Sequence, residues 1–161
     1  MKNKKFINVS ILDAKETTYG EYIDEFKPLI VNTDIGYETE GYVVSNEKSY
    51  SPFWVSKEEF LKDNLELISN ENLKGSKLSI GEKMVKDFIE KTSIMTINKK
   101  TTLVVVTLKN GFEIVESSSC VSEKNYNEAI GAKICIKKIE EKIWAYLGFL
   151  LQMATYEKEQ D

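Results

Sequence analysis

The sequence contains no histidine and no arginine, so all 22 of its basic residues are lysine. The missing histidine removes the usual general base, the usual zinc ligand and the usual partner of a nucleophilic serine or cysteine. Without arginine, a bound phosphate has to be held by ammonium groups, hydroxyls and backbone N–H groups, with no bidentate forks. Two cysteines, Cys120 and Cys135, are too few for a disulfide framework, and both are expected as free thiols. No catalytic triad, metal-ligand spacing or phosphate-binding glycine loop is present, so the expectation is a protein that is not an enzyme, with no catalytic residue, metal or cofactor. No apolar run approaches the length of a membrane span, and Met1-Lys-Asn-Lys-Lys-Phe-Ile-Asn is too polar for a signal peptide. A formal charge of −4 argues against a binder of duplex nucleic acid or of membrane surfaces, both of which want a basic patch.

What remains is an ordinary composition, 42% hydrophobic and 30% charged, over a length that suits one domain with a small appendage. Residues 5–13 read as a strand, and 16–26 as a short helix with Tyr19, Tyr22, Ile23 and Phe26 on one face. Pro28, Asn32, Asp34 and Gly36 mark irregular chain. Gly41-Tyr-Val-Val-Ser and Ser49-Tyr-Ser-Pro-Phe-Trp-Val predict a hairpin turning through Asn46-Glu-Lys. Tyr37, Tyr42, Tyr50, Phe53 and Trp54 form an aromatic group best suited to packing. Ser56 and Glu59 have the spacing of a capping box for a helix running to about Ile68.

The polar stretch 69–79 reads as a linker between a module at 1–68 and a domain at 80–154, with a tail at 155–161. In that domain Ile80, Met84, Val85, Phe88 and Ile89 fall at helical spacing. Ile94–Ile97 and Leu103–Lys109 read as strands, and Asn110-Gly111 is the strongest hairpin signal in the chain, with a return strand over 112–121. Ser122 is a good N-cap for the last helix. That helix carries Ile136, Ile139, Ile143, Leu147 and Leu150, a stripe that Trp144, Tyr146, Phe149 and Leu151 widen. So broad an apolar surface predicts a homo-oligomer. The expected fold is α+β: a small antiparallel sheet with long C-terminal helices pairing between copies.

The candidate site residues lie in this last third. Lys133, Lys137, Lys138 and Lys142 form two pairs spaced four apart, and such pairs repel unless carboxylates or a bound anion offset them. Either they are a solvated face beside Glu140 and Glu141, or they clamp a phosphate near the hydroxyl-rich Ser117–Ser119. Phe112, at the exit of the Asn110-Gly111 turn, either stacks on a base or packs. Asn125 either caps the last helix or reads a ligand edge. Cys120 and Cys135 are read as small packed side chains.

Residues 78–154 resemble a family of small phage proteins. The pattern is carried by Thr107-Leu-Lys-Asn-Gly-Phe112, Ser119-Cys-Val121, Asn125-Tyr126, Ile130-Gly131, Lys142-Ile-Trp144 and Gly148-Phe-Leu-Leu151. The resemblance extends to the Thoeris anti-defence sponge proteins of the first type, which sequester cyclic ADP-ribose signals, some of them also cyclic oligonucleotides of CBASS defence. It implies a cytoplasmic protein of the bacterial host cell that binds a cyclic nucleotide without cleaving it. The implied ligand-binding residues are Phe112 for the base, Asn110, Ser118 and Asn125 as polar groups, and Lys133, Lys137, Lys138 and Lys142 for the diphosphate. Residues 40–68 are similar to a second phage accessory module, with the proline ahead of the tryptophan instead of after it. The alternative reading is a phage accessory module that binds another protein through the apolar helix face.

Overall fold

Alternating apolar and polar residues build two antiparallel three-stranded sheets, and a long C-terminal helix completes an α+β fold. The computed structural model describes residues 4–45, 51–75 and 78–156. They fall into two units, Met1–Glu66 and Leu67–Asp161. The Asn46-Glu-Lys turn, Tyr50 and residues 157–161 of the expected tail lie outside the described residues.

In the first unit the sheet order is β1 (Asp13–Thr18), β2 (Glu40–Ser45), β3 (Phe53–Ser56), with Val43 paired to both Lys15 and Trp54. The strand expected at 5–13 is not formed. Residues 4–12 have no helix or strand, and β1 takes the residues after them. The Thr18 hydroxyl accepts from the Glu21 N–H while Glu21 returns to the Thr18 N–H, a reciprocal capping box that starts α1 (Tyr19–Phe26) three residues later than expected. The helix ends where Lys27 turns left-handed (φ 44°), ahead of Pro28.

Successive residues of β2 serve opposite faces of the sheet. Tyr42 meets Phe60 of α2 (Lys57–Asp63) with ring centroids 4.7 Å apart, and Trp54, beside Val43, meets Tyr19 of α1 at 4.9 Å. Ser56 caps α2 by accepting from the Glu59 N–H at 3.4 Å. The helix stops at Asp63, short of the expected Ile68, because Asn64 turns extended and its side-chain amide donates to the Phe60 carbonyl at 2.8 Å. Lys57 forms ion pairs with Glu16 and Glu40, which raise its pKa above the ordinary lysine value and tie α2 to the sheet.

The second unit stacks α3 (Glu82–Asp87) and α4 (Glu128–Thr155) on the sheet β4 (Ile89–Ile97), β5 (Thr101–Leu108), β6 (Glu113–Ser119), in that order. Val104, Val106, Leu108 and Ile114 from the sheet meet Val85, Phe88, Cys135, Ile139, Ile143 and Leu147 in one core. Full burial of a side chain such as Ile139 or Ile143 contributes about 1.5–3 kcal/mol. The two ends of the polar stretch 69–79 are tied together within this unit. The Gly81 N–H donates to the Ile68 carbonyl at 2.8 Å, and the Asn70 N–H to the Ser79 hydroxyl at 2.9 Å.

Three residues, 98–100, join β4 to β5, and four, 109–112, join β5 to β6. Asn98 and Lys99 take positive φ between β4 and β5. Between β5 and β6, Gly111 (φ 79°) alone does so, and its N–H donates to the Leu108 carbonyl. That is a type I turn closed by a left-handed glycine, not a turn with both Asn110 and Gly111 at positive φ. Ser122 caps a single 3-10 turn, Glu123–Asn125, and not the last helix. Asn127 caps α4 instead, its side chain accepting from the Ile130 N–H at 3.1 Å. At 28 residues α4 is about 42 Å long.

Candidate functional site

Two aromatic rings, two lysines and a carboxylate gather where α4 lies along β6 and the β5–β6 turn. Phe112 leaves the β5–β6 turn and is 54% exposed. Its N–H donates to the Asn110 side chain, so Asn110 is committed to shaping the turn. Tyr146 of α4 meets Phe112 edge-on, with centroids 6.1 Å apart and planes at 88°, and both rings keep exposed surface. One helical turn before Tyr146 comes Lys142, which forms a short ion pair with Glu116 of β6, while Lys138 lies 4.0 Å from the same carboxylate. The hydrogen bond from Lys142 holds the Glu116 carboxyl below its ordinary pKa, and Glu116 raises Lys142 in turn. Two ammonium groups thus share one carboxylate beside an exposed aromatic pair.

The other expected residues do not join this group. Ser118 lies six positions past Phe112, about 20 Å along the strand. It pairs in register with Thr102, at the end of a hydroxyl network. The Tyr126 hydroxyl bonds the Thr102 hydroxyl at 2.9 Å and that of Thr96 at 2.7 Å, and Thr96 also bonds Glu128. Asn125 is exposed in the 3-10 turn next to it. Lys133 and Lys137 are each five residues before the Glu116-facing lysines, which sets them about 140° away around the helix. The four lysines therefore occupy two faces.

Sequence reasoning missed Tyr146 and Glu116. The signals were present: Lys142 and Tyr146 are four apart on one helix, and Glu116 shares its face of β6 with Ser118, two residues on. Burial pushes the Cys135 thiol up from its ordinary pKa, and Cys120 is half-exposed. A shallow cavity of about 290 Å³ in the first unit, bordered by Asp13, Lys15, Phe26, Val43 and Pro52, holds none of the expected residues. Among the described residues no group of three or more Cys, Asp or Glu is placed to hold a metal, and no helix is long and apolar enough to cross a membrane.

An exposed patch of two aromatic rings and two lysines on an α+β unit is what this geometry defines. Residues 80–155, a little under half of the chain and nearly all of that unit's regular structure, match the model of the phage protein (N4 Gp49/phage Sf6 gene 66) family. The match supports a phage protein, and the family description names no activity. No curated protein and no solved structure matches the chain.

Proposed function

We propose that this phage protein sequesters a cyclic nucleotide immune signal of the cyclic ADP-ribose kind, possessing affinity for it but no means of cleaving it, and that it works as a homo-oligomer. One observation carries the reading: the exposed Phe112–Tyr146 ring pair stands beside Lys138 and Lys142. A ring face offers a base a sequence-tolerant stacking surface of about 1–3 kcal/mol, and ammonium groups attract a diphosphate. The ligand has to compete with Glu116 for the two ammonium groups. Lysine, lacking a planar fork, holds phosphate as a point charge. Ser118, Asn125, Lys133 and Lys137 lie too far from the ring pair to join it within one copy, so their part in binding requires a second copy.

Thermal shift tests this directly, since a ligand at 100 times its Kd stabilises by about 2.7 kcal/mol. Cyclic ADP-ribose isomers, glycocyclic ADP-ribose among them, or CBASS cyclic oligonucleotides should raise the melting temperature, and Phe112→Ala should abolish that rise while leaving the oligomer intact. No shift with any of them rejects the proposal. Processed ligand recovered after denaturation would restore an enzyme reading. The second reading, a protein-binding module, draws on Trp144, Phe149, Leu150 and Met153, all exposed along α4. It predicts that Phe149→Lys abolishes partner capture with ligand response unchanged.

A further inference from the structure

The strand that apolar alternation predicts over 5–13 does not form in the single chain, and much of it is left uncovered. Residues 4–12 take no helix or strand, Phe6 is 86% exposed and Ile7 90%. Phe6, Ile7, Val9, Ile11 and Leu12 are strand formers, and residues 6–12 hold no proline, glycine or charge. The register of the first sheet shows why this stretch goes unpaired. Asp13, the first residue of β1, lies opposite Ser45, the last of β2, so the chain ahead of Asp13 runs past the end of that neighbour.

Strand periodicity sorts the segment into two faces. Ile7, Val9 and Ile11 share one, bounded by Lys5 and Asp13, and Phe6, Asn8, Ser10 and Leu12 share the other. We infer that this segment is a homotypic interface: residues 5–13 of two copies of this chain pair antiparallel about a two-fold axis at Val9, as a ribbon that continues β1 of each copy.

The occupant follows from register and charge together. Centred on Val9, the pair sets Val9 beside Val9 of the second copy, Ile7 beside its Ile11 and Phe6 beside its Leu12. Lys5 falls directly opposite Asp13 of the second copy, once at each end of the apolar face, and directly opposed unlike charges favour pairing. The longer diagonals offset each other. Lys5 is diagonal to Lys15 of the second copy and Lys4 to its Glu16, and Lys15 and Glu16 already pair with Glu25 and Lys57 in their own copy. A slip of one residue mixes the faces and sets Val9 against Asn8 or Ser10. Moving the axis to Asn8 or Ser10 sets Lys5 opposite Ile11 or Lys15 instead of Asp13. A parallel pair in register brings Lys5 to Lys5 and Asp13 to Asp13. A two-stranded ribbon is marginal alone, and here each strand runs on into a three-stranded sheet. The segment belongs to the first unit and Phe112 to the second, so the inference stands whether or not a nucleotide is bound.

Cysteine mapping tests it, in a Cys120→Ser background with Cys135 buried. Residues opposed in an antiparallel pair have Cα atoms about 4.5–5.5 Å apart, within the roughly 4.4–6.8 Å that a disulfide spans. Val9→Cys should give a disulfide dimer on mild oxidation, in at least about tenfold the yield of Ser10→Cys, whose two copies lie diagonal at about 7–8 Å. Lys5→Asp added to Val9→Cys, with helix and strand content unchanged, should lower that yield at least about tenfold, because it sets carboxylates opposite each other. Asp13→Lys added to both should restore it. Equal yields from Val9→Cys and Ser10→Cys, a yield indifferent to Lys5→Asp, or a loss that Asp13→Lys does not restore would overturn the inference.

Discussion

At the scale of single residues, Gly131 shows how closely α4 approaches the sheet. A Cβ there would stand 2.2 Å from the Thr102 hydroxyl and 2.7 Å from its Cβ, and Thr102 is wholly buried. Gly131→Ala should therefore cost about 1–3 kcal/mol, read as a lower urea midpoint. Glu116 carries a pH signature. Its pKa lies below its unfolded value, so its contribution is complete above about pH 4.3 and is lost as the pH falls through the folded pKa. Lys142 is raised, so its share is present below about pH 10.4 and is lost as the pH rises through its folded pKa. Glu116→Gln should flatten the acid limb of a melting-temperature profile, and an unchanged limb would show that other carboxylates set it. The thiols should also differ: Cys120 should react with a thiol reagent in the native state, while Cys135 reacts only on unfolding.

Among elements, the helix caps decide where the chain reads as expected. Asn127→Ala should cost about 1 kcal/mol by removing the cap of α4, whereas Ser122→Ala should cost less, since Ser122 serves one 3-10 turn. A circular-dichroism melt of both variants checks that order. The sequence placed the β2–β3 pair, the β5–β6 hairpin and the body of the long helix, because period-two alternation, helical spacing and the Asn110-Gly111 signal are local, but β4 starts at Ile89 instead of Ile94 and α4 is capped at Asn127 instead of Ser122. It misplaced β1 because apolar alternation over 5–13 gave no measure of whether a partner strand would be in reach. It extended α2 past Asn64 because a side chain bonding back to its own helix competes silently with the backbone. Phe112 was legible as an aromatic at the turn exit, with stacking and packing both open; its exposure is a result of the structure. Tyr146 was not, since its role depends on a contact between positions 34 residues apart, which no local pattern encodes.

Across the whole molecule, the second unit combines a core built by α3, α4 and one face of the sheet with two surfaces left unfilled, the C-terminal half of α4 and the edge of β4. The homo-oligomer proposed above would seat neighbouring copies on such uncovered apolar surface. Such an assembly brings residues of neighbouring copies together, the route by which Ser118, Asn125, Lys133 and Lys137 would reach a ligand seated at Phe112. The central claim is that the chain takes up a cyclic nucleotide and keeps it whole. Equilibrium dialysis of the purified protein against cyclic ADP-ribose isomers and CBASS cyclic oligonucleotides, followed by denaturation and mass analysis, measures this most directly. The account predicts that at least one of these ligands is depleted from the free pool by wild type, not by Phe112→Ala, and is recovered unaltered. A free pool untouched by the wild-type protein would contradict it.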